Sequence, residues 1–320
     1  MAKTIDRRHF MQSAALAAGA GLASVSGVSP LVAASAKPQK FKAGFAPATD
    51  GTMESFWHNM EACSKTGFHY IEVDNSRLHL AEAYGDRPEE FKDRMAKLNL
   101  KLVGLNHSYP LLDLTKHEEI RKENRIIGKF LQGIGAIYAG PYGALSDDEE
   151  PMRKVARLMD EEGKRMREEN GMVYAYHTHS STGFRRLMDL TNPAWVNLTI
   201  DMGWITMRGG SDSVEVLRAY HSRLMTLHLK DFDPNYEFDY RGQHYKGGIV
   251  LPGKGIVDFP GVVEFLKESE WSGCLLGEHI GLGTYDYVRT PESVNAYPHF
   301  RDYMAKDLGL SLGPLSAGRT

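Results

Sequence analysis

Two cysteines in 320 residues are too few for a disulfide scaffold. Cys63 falls in a predicted helix and Cys274 in a predicted strand, where it shares the parity of Glu278 and points inward, so both read as free thiols. An excess of positive charge is also lacking: the formal net charge of -3 provides no basic face for neutralising phosphates, which argues against nucleic acid as a partner. Beyond the first 36 residues no run is long and apolar enough to span a membrane. Beyond residue 36 no composition shift or linker divides the chain, and no glycine-rich phosphate cradle opens a helix. With 42% hydrophobic residues, a sizeable core is possible, and neither disorder nor a fibrous protein fits.

The first 36 residues differ from the rest, passing from basic residues through an Ala/Gly-rich apolar stretch to Ala34-Ser35-Ala36, a small-x-small pattern. With Arg7-Arg8 followed by Phe10, this segment resembles a twin-arginine export signal, although Met11-Gln12 departs from the usual continuation. The resemblance implies export to the periplasm and cleavage, leaving 37–320 as the mature domain; an uncleaved N-terminal anchor is the alternative. Lys3, Arg7, Arg8 and Asp6 sum to +2, so removing them from -3 leaves -5.

After Lys37 a unit recurs: a short apolar run, a polar turn, an amphipathic stretch. Eight runs read as strands, at 42–48, 70–75, 101–107, 135–140, 172–179, 197–203, 224–231 and 273–279. Between them lie helical patterns such as 85–99, where Asp86 can cap and Pro88 suits the first turn while Phe91, Met95 and Leu98 form a stripe. The stretch 146–171 begins acidic, turns basic and stops at Gly171, as a helix dipole favours. Eight such units predict a single-domain (β/α)8 TIM barrel, with a doubly wound open sheet as the alternative. Residues 232–258, rich in aromatic residues, glycine and charge, read as a long loop over one mouth, serving as a lid, a binding element or a plain hairpin.

In such a barrel, chemistry sits at the C-terminal strand ends. The last inward-facing residues by strict alternation are Glu72, His107, His177 with His179, Asp201, His228 and Glu278. Taken singly, a strand-end histidine is more often a hydrogen-bonded residue than a ligand. Six strands of eight ending in imidazole or carboxylate make a stronger case. Such groups suit Mn, Co, Fe or Zn in the divalent state, with open positions for substrate.

The segments "YHTH", "DMGW", "HLKD", "LPGKGIVDF" and "GEH", in this order, resemble those of the xylose isomerase-like TIM barrels. That group includes sugar phosphate isomerases and epimerases and, closest to this pattern, the inosose dehydratases. The resemblance implies one divalent metal held by His177, Asp201, His228 and Glu278. Relatives that epimerise carry a glutamate where this chain has His177, which disfavours symmetric epimerisation and leaves proton removal with loss of a hydroxyl. Trp204 replaces a histidine common after the Asp-x-Gly and offers a stacking surface for a sugar ring.

The sequence therefore predicts a metal-dependent lyase or isomerase acting through an enediolate on an unphosphorylated keto-sugar or keto-cyclitol. Glu278, His107 and His179 are its candidate acids and bases; Glu72, Trp204 and Lys230 are its substrate contacts. Two rivals differ in class: an exported sugar-binding protein without turnover, and a phosphodiesterase of the endonuclease IV type, which the acidic balance disfavours. The oligomeric state is open. The mature N-terminus is expected at Lys37, and N-terminal sequencing of exported protein checks it; retention of residues 1–36 would make the chain an anchored protein instead.

Overall fold

The computed structural model describes residues 37–47, 51–178, 183–209, 213–240, 243–278 and 296–315. The apolar runs form β1 (Lys42–Ala46), β2 (Tyr70–Asp74), β3 (Lys101–Ser108), β4 (Tyr138–Tyr142), β5 (Val173–Thr178), β6 (Val196–Asp201) and β7 (Leu224–Leu229), with β8 (Asp231–Tyr240), β9 (Gln243–Val250) and β10 (Cys274–Glu278) following. Among the described residues, β1 to β7 and β10 close into a parallel eight-stranded barrel. Its seam joins β10 to β1, from Lys42 beside Cys274 to Ala46 beside Glu278. The expected strands are all present. The fourth lies three residues later than anticipated, because Gly135 ends the preceding helix in a left-handed conformation at φ 70.

The helices α1 (Met53–Thr66), α2 (Asn75–Leu78), α3 (Leu80–Tyr84), α4 (Pro88–Lys97), α5 (His117–Ile134), α6 (Glu149–Asn170), α7 (Gly183–Leu190), α8 (Met202–Gly209), α9 (Ser213–Tyr220), α10 (Phe259–Glu268) and α11 (Tyr297–Asp302) accompany the strands. Thr52 caps α1 by accepting from the Ser55 N–H. Asp86 does not cap α4; Arg87 holds that position without a side-chain bond, and Asp86 pairs only with the Arg87 guanidinium at 3.7 Å. No helix among the described residues is long and apolar enough to cross a membrane.

Strand alternation produces two apolar regions. Leu105, Tyr174, Leu198, Leu227 and Leu275 face outward into the large core between sheet and helices. Tyr70, Val103, Tyr138, Cys274 and Leu276 form a separate cluster inside the barrel, beneath the polar strand ends. Both cysteines are free and buried, Cys274 in that inner cluster.

Alternation is broken in two ladders, β6 with β7 between Leu198 and Thr199 and β2 with β3, and the second break decides which residue enters the mouth. The pairing of β2 with β3 shifts between Ile71 and Glu72, so that Ile71 faces Leu102 and Glu72 faces Gly104, leaving Val103 as an extra residue. Gly104 is required beside this bulge, since a Cβ there would lie 2.0 Å from the Tyr138 ring. The result is that Asn106, not His107, faces the interior.

The stretch after β7 is a hairpin and not an irregular loop: β8 and β9 pair antiparallel from Asp231–Val250 to Tyr240–Gln243. Its base is pinned by Phe232 and Ile249 against Trp204. The buried Asp231 carboxylate gathers backbone from both sides of the hairpin, accepting from the N–H groups of Phe232 (2.9 Å), Gly253 (2.9 Å), Gly255 (2.8 Å) and Val257 (3.2 Å). Gly255 must be glycine, because a Cβ would sit 2.2 Å from Asp231 Oδ1. Replacing Asp231 by alanine orphans these donors and should destabilise the protein by roughly 3 kcal/mol. Urea unfolding measures the loss; accelerated hydrogen exchange at Gly253, Gly255 and Val257 localises it, and unchanged exchange there would refute the assignment.

Candidate metal centre

His177 lies near the end of β5, Asp201 at the end of β6, His228 near the end of β7 and Glu278 at the end of β10. All four are buried, and one donor atom from each lies within 4.8 Å of the others. Bonds of about 2.0–2.2 Å to one ion place its ligand atoms about 3–4 Å apart, so the spacing suits a single centre. The His177 and His228 rings meet edge to face with centroids 4.5 Å apart.

The hydrogen-bond directions favour the same conclusion. His228 Nδ1 is 2.7 Å from Glu278 Oε2 and its Nε2 is 2.8 Å from Glu72 Oε1, yet neither ring nitrogen makes an aligned hydrogen bond. Donor atoms crowded at contact distance without the angles of hydrogen bonds fit a cation better than they fit each other.

Glu72 belongs to this group as a support, which differs from its expected role as a substrate contact. Its Oε1 accepts from Asn106 Nδ2 at 2.7 Å and faces His228, while its Oε2 accepts from the Tyr138 hydroxyl. With Glu72 1% exposed, those partners occupy it, and it places a negative charge 2.8 Å from His228 Nε2. Lys230 also departs from expectation: its ammonium pairs with Asp201 Oδ2 and lies 2.8 Å from Glu278 Oε2. Asp201 Oδ1 accepts from the Trp204 N–H at 3.1 Å, at the start of α8.

Charge accounts for these neighbours. Glu72, Asp201 and Glu278 place three carboxylates against the single ammonium of Lys230, and with neutral imidazoles a divalent cation brings the sum to zero. Without one, the protein shifts protons. Burial alone would lower the His228 pKa, but Glu72 and Glu278 more than offset it and raise it to about 10. Burial raises Asp201 to about 6 against the pull of Lys230. Glu278, which burial alone would raise, is held well below the carboxylate range by Lys230 and His228.

Other expected site residues lie elsewhere. The Trp204 ring, 6% exposed, packs with Phe232 and Ile249 under the hairpin and has the Lys230 ammonium 5.5 Å from its centroid, so it does not present an open stacking face. His179 lies outside the described residues. His107, carried past the bulge, turns toward the helices: Nδ1 is 3.2 Å from Asn75 Nδ2 and Nε2 is 3.1 Å from Glu123 Oε2. Asn75 Oδ1 accepts from the Ala81 N–H at 2.9 Å, which makes its Nδ2 the donor to His107 and places the ring proton on Nε2, facing Glu123. A neutral His107 thus ties β3, α2 and α5 together.

Sequence alternation did not single out Asn106 or Tyr138, nor the pair at the mouth formed by Asp74 and Tyr142. The Tyr142 hydroxyl donates to Asp74 Oδ2 at 2.7 Å, and its ring meets His177 at 5.7 Å. The last residues of β2 and β4 could have signalled this pair; Asn106 was hidden by the bulge.

Known proteins agree with this architecture. A family model described as "Xylose isomerase-like TIM barrel" matches residues 60–292, and the chain belongs to that family. The inosose dehydratase of Geobacillus kaustophilus is 26% identical over 238 residues, covering 65% of this chain and 75% of that protein. That of Clostridium tetani is 32% identical over 143 residues, 41% of this chain, which matches about half (47%) of that protein's length. Among solved structures, the IOLI protein with a binding zinc atom superposes with a TM-score of 0.60 at 16% identity, over 83% of this chain and 98% of that one.

His107 generates a test of its own. Burial lowers its pKa to about 4 from 6.5, so the unfolded chain binds more protons between those values. Stability should therefore rise with pH through that window and be lost on acidification, by at most about 3 kcal/mol. His107→Gln should flatten this part of the stability profile, measured by denaturant unfolding at pH 4 to 7; an unchanged slope would count against the neutral tie.

Proposed function

We propose that this member of the xylose isomerase-like TIM-barrel family is a divalent-metal-dependent lyase or isomerase acting on an unphosphorylated keto-sugar or keto-cyclitol. The observation that carries this reading is the convergence of His177, Asp201, His228 and Glu278 at the barrel mouth. These four residues would hold the ion, Mn in first place. A bound divalent cation supplies Lewis acidity toward a carbonyl and a neighbouring hydroxyl. Similarity to inosose dehydratases supports the substrate class and the loss of water.

The chain's own residues divide the remaining work. Glu72, held by Asn106 and Tyr138, places a negative charge beside His228. Glu278 is a poor base, because Lys230 and His228 hold its carboxyl far down. The base is then His179, which shares the sequence parity of His177. Asp74 and Tyr142, half-buried at the mouth, suit substrate hydroxyls. The chain would perform this reaction after export by its twin-arginine segment.

Elemental analysis of purified protein, followed by NMR of keto-sugars and keto-cyclitols in deuterated buffer, tests the reading. Deuterium incorporation beside the carbonyl is expected with the metal-loaded protein. His228→Ala should lose both metal and exchange, while His179→Gln should keep the metal and reduce exchange by about 100-fold or more. Absence of exchange across the panel, with metal bound, would sink the lyase and isomerase reading in favour of a binding protein.

A further inference from the structure

Lys230 is 1% exposed, at the level of the four donor groups. Its ammonium pairs with Asp201 Oδ2 and with Glu278 Oε2 at 2.8 Å, so its two carboxylate partners are both members of that set. The third side of the ammonium faces the Trp204 ring, whose centroid is 5.5 Å away. Room for the lysine stem is built in: a Cβ on Gly203 would lie 2.8 Å from Lys230 Cγ and 2.9 Å from its carbonyl oxygen. A lysine enclosed by two carboxylates and an indole, and packed against a glycine, is held in one place.

An ammonium so placed has a definite electrostatic effect. Two carboxylates buried beside each other destabilise the fold unless a cation accompanies them. We propose that Lys230 is an internal counter-ion that stands in for part of the metal's charge: it offsets one of the two negative charges of Asp201 and Glu278 when no ion is bound, helps keep the empty barrel folded, and lowers affinity by repelling the ion when it enters. This rests on the metal reading above for its second half only. The consequence is a site that is stable in both states and exchanges its ion more readily than the four donor groups alone would allow.

Chelator-treated full-length protein and its Lys230→Met variant test the idea, with thermal melts in the absence of metal and calorimetric titration with manganese chloride as readouts. Without metal, Lys230→Met should melt lower by on the order of 10 °C, since an unpaired buried charge is left behind. Its affinity for manganese should rise about tenfold or more, because a like charge beside the ion has been removed. The double variant Lys230→Met with Asp201→Asn should recover part of the metal-free melting temperature, as a charge balance requires and a loss of packing does not. Equal melting temperatures and equal manganese affinities in wild type and Lys230→Met would overturn the proposal, as would a double variant no more stable than the single one. If Lys230→Met alone does not fold, recovery of folded protein in the double variant supports the balance, and failure of both overturns it. A wild type that binds no manganese would remove the metal reading, and the melts would still decide whether Lys230 balances the carboxylates.

Discussion

An excess of negative charge buried at the mouth of an apolar barrel is the constraint to which the surrounding structure responds. Glu72, Asp201 and Glu278 are all nearly or wholly removed from water. Each carboxylate taken from solvent costs several kcal/mol unless something replaces the water. Replacement comes from different directions: Tyr138 and Asn106 for Glu72, the Trp204 N–H and Lys230 for Asp201, Lys230 and His228 for Glu278. The tyrosine at the top of the inner apolar cluster is therefore also a member of the polar layer, and the two layers of the interior are joined through its hydroxyl.

Much of this is legible in the sequence because strands alternate. In β5, β6 and β10, and in β7 beyond its irregularity at Leu224–Thr226, inward parity selects His177, Asp201, His228 and Glu278, which converge; it also selects His179, which lies outside the described residues. Where alternation fails, reading fails with it. One extra residue in β3 exchanges the faces of Asn106 and His107, and only the pairing partner across the sheet reveals it. Local sequence also cannot say what a long side chain reaches. Alternation places Glu72 and Lys230 at the mouth correctly, but their partners come from other strands, at Asn106, Tyr138, Asp201 and Glu278.

Trp204 and Asp231 illustrate the same limit from the side of the connections. The hairpin is visible in the sequence as an irregular, aromatic-rich interval, but its pairing buries Trp204 and leaves no open ring face. Asp231 is the last residue of the "HLKD" segment. In the fold it gathers backbone N–H groups at Gly253, Gly255 and Val257, which explains why that segment is accompanied by the glycines of "LPGKGIVDF". The two segments are one structural unit separated by a hairpin.

The seam between β10 and β1 has a bearing on how the molecule is made. The four converging groups appear in the order His177, Asp201, His228, Glu278, and Glu278 sits on the strand that pairs with β1. On a ribosome, β1 emerges early and waits for a neighbour that arrives after every other strand of the barrel. Ring closure and completion of the four-residue set are then a single late event. A nascent chain stalled before Cys274 offers three of the four groups, with His228 on the open edge of an unclosed sheet. Assembly of the four-residue set is thereby tied to completion of synthesis.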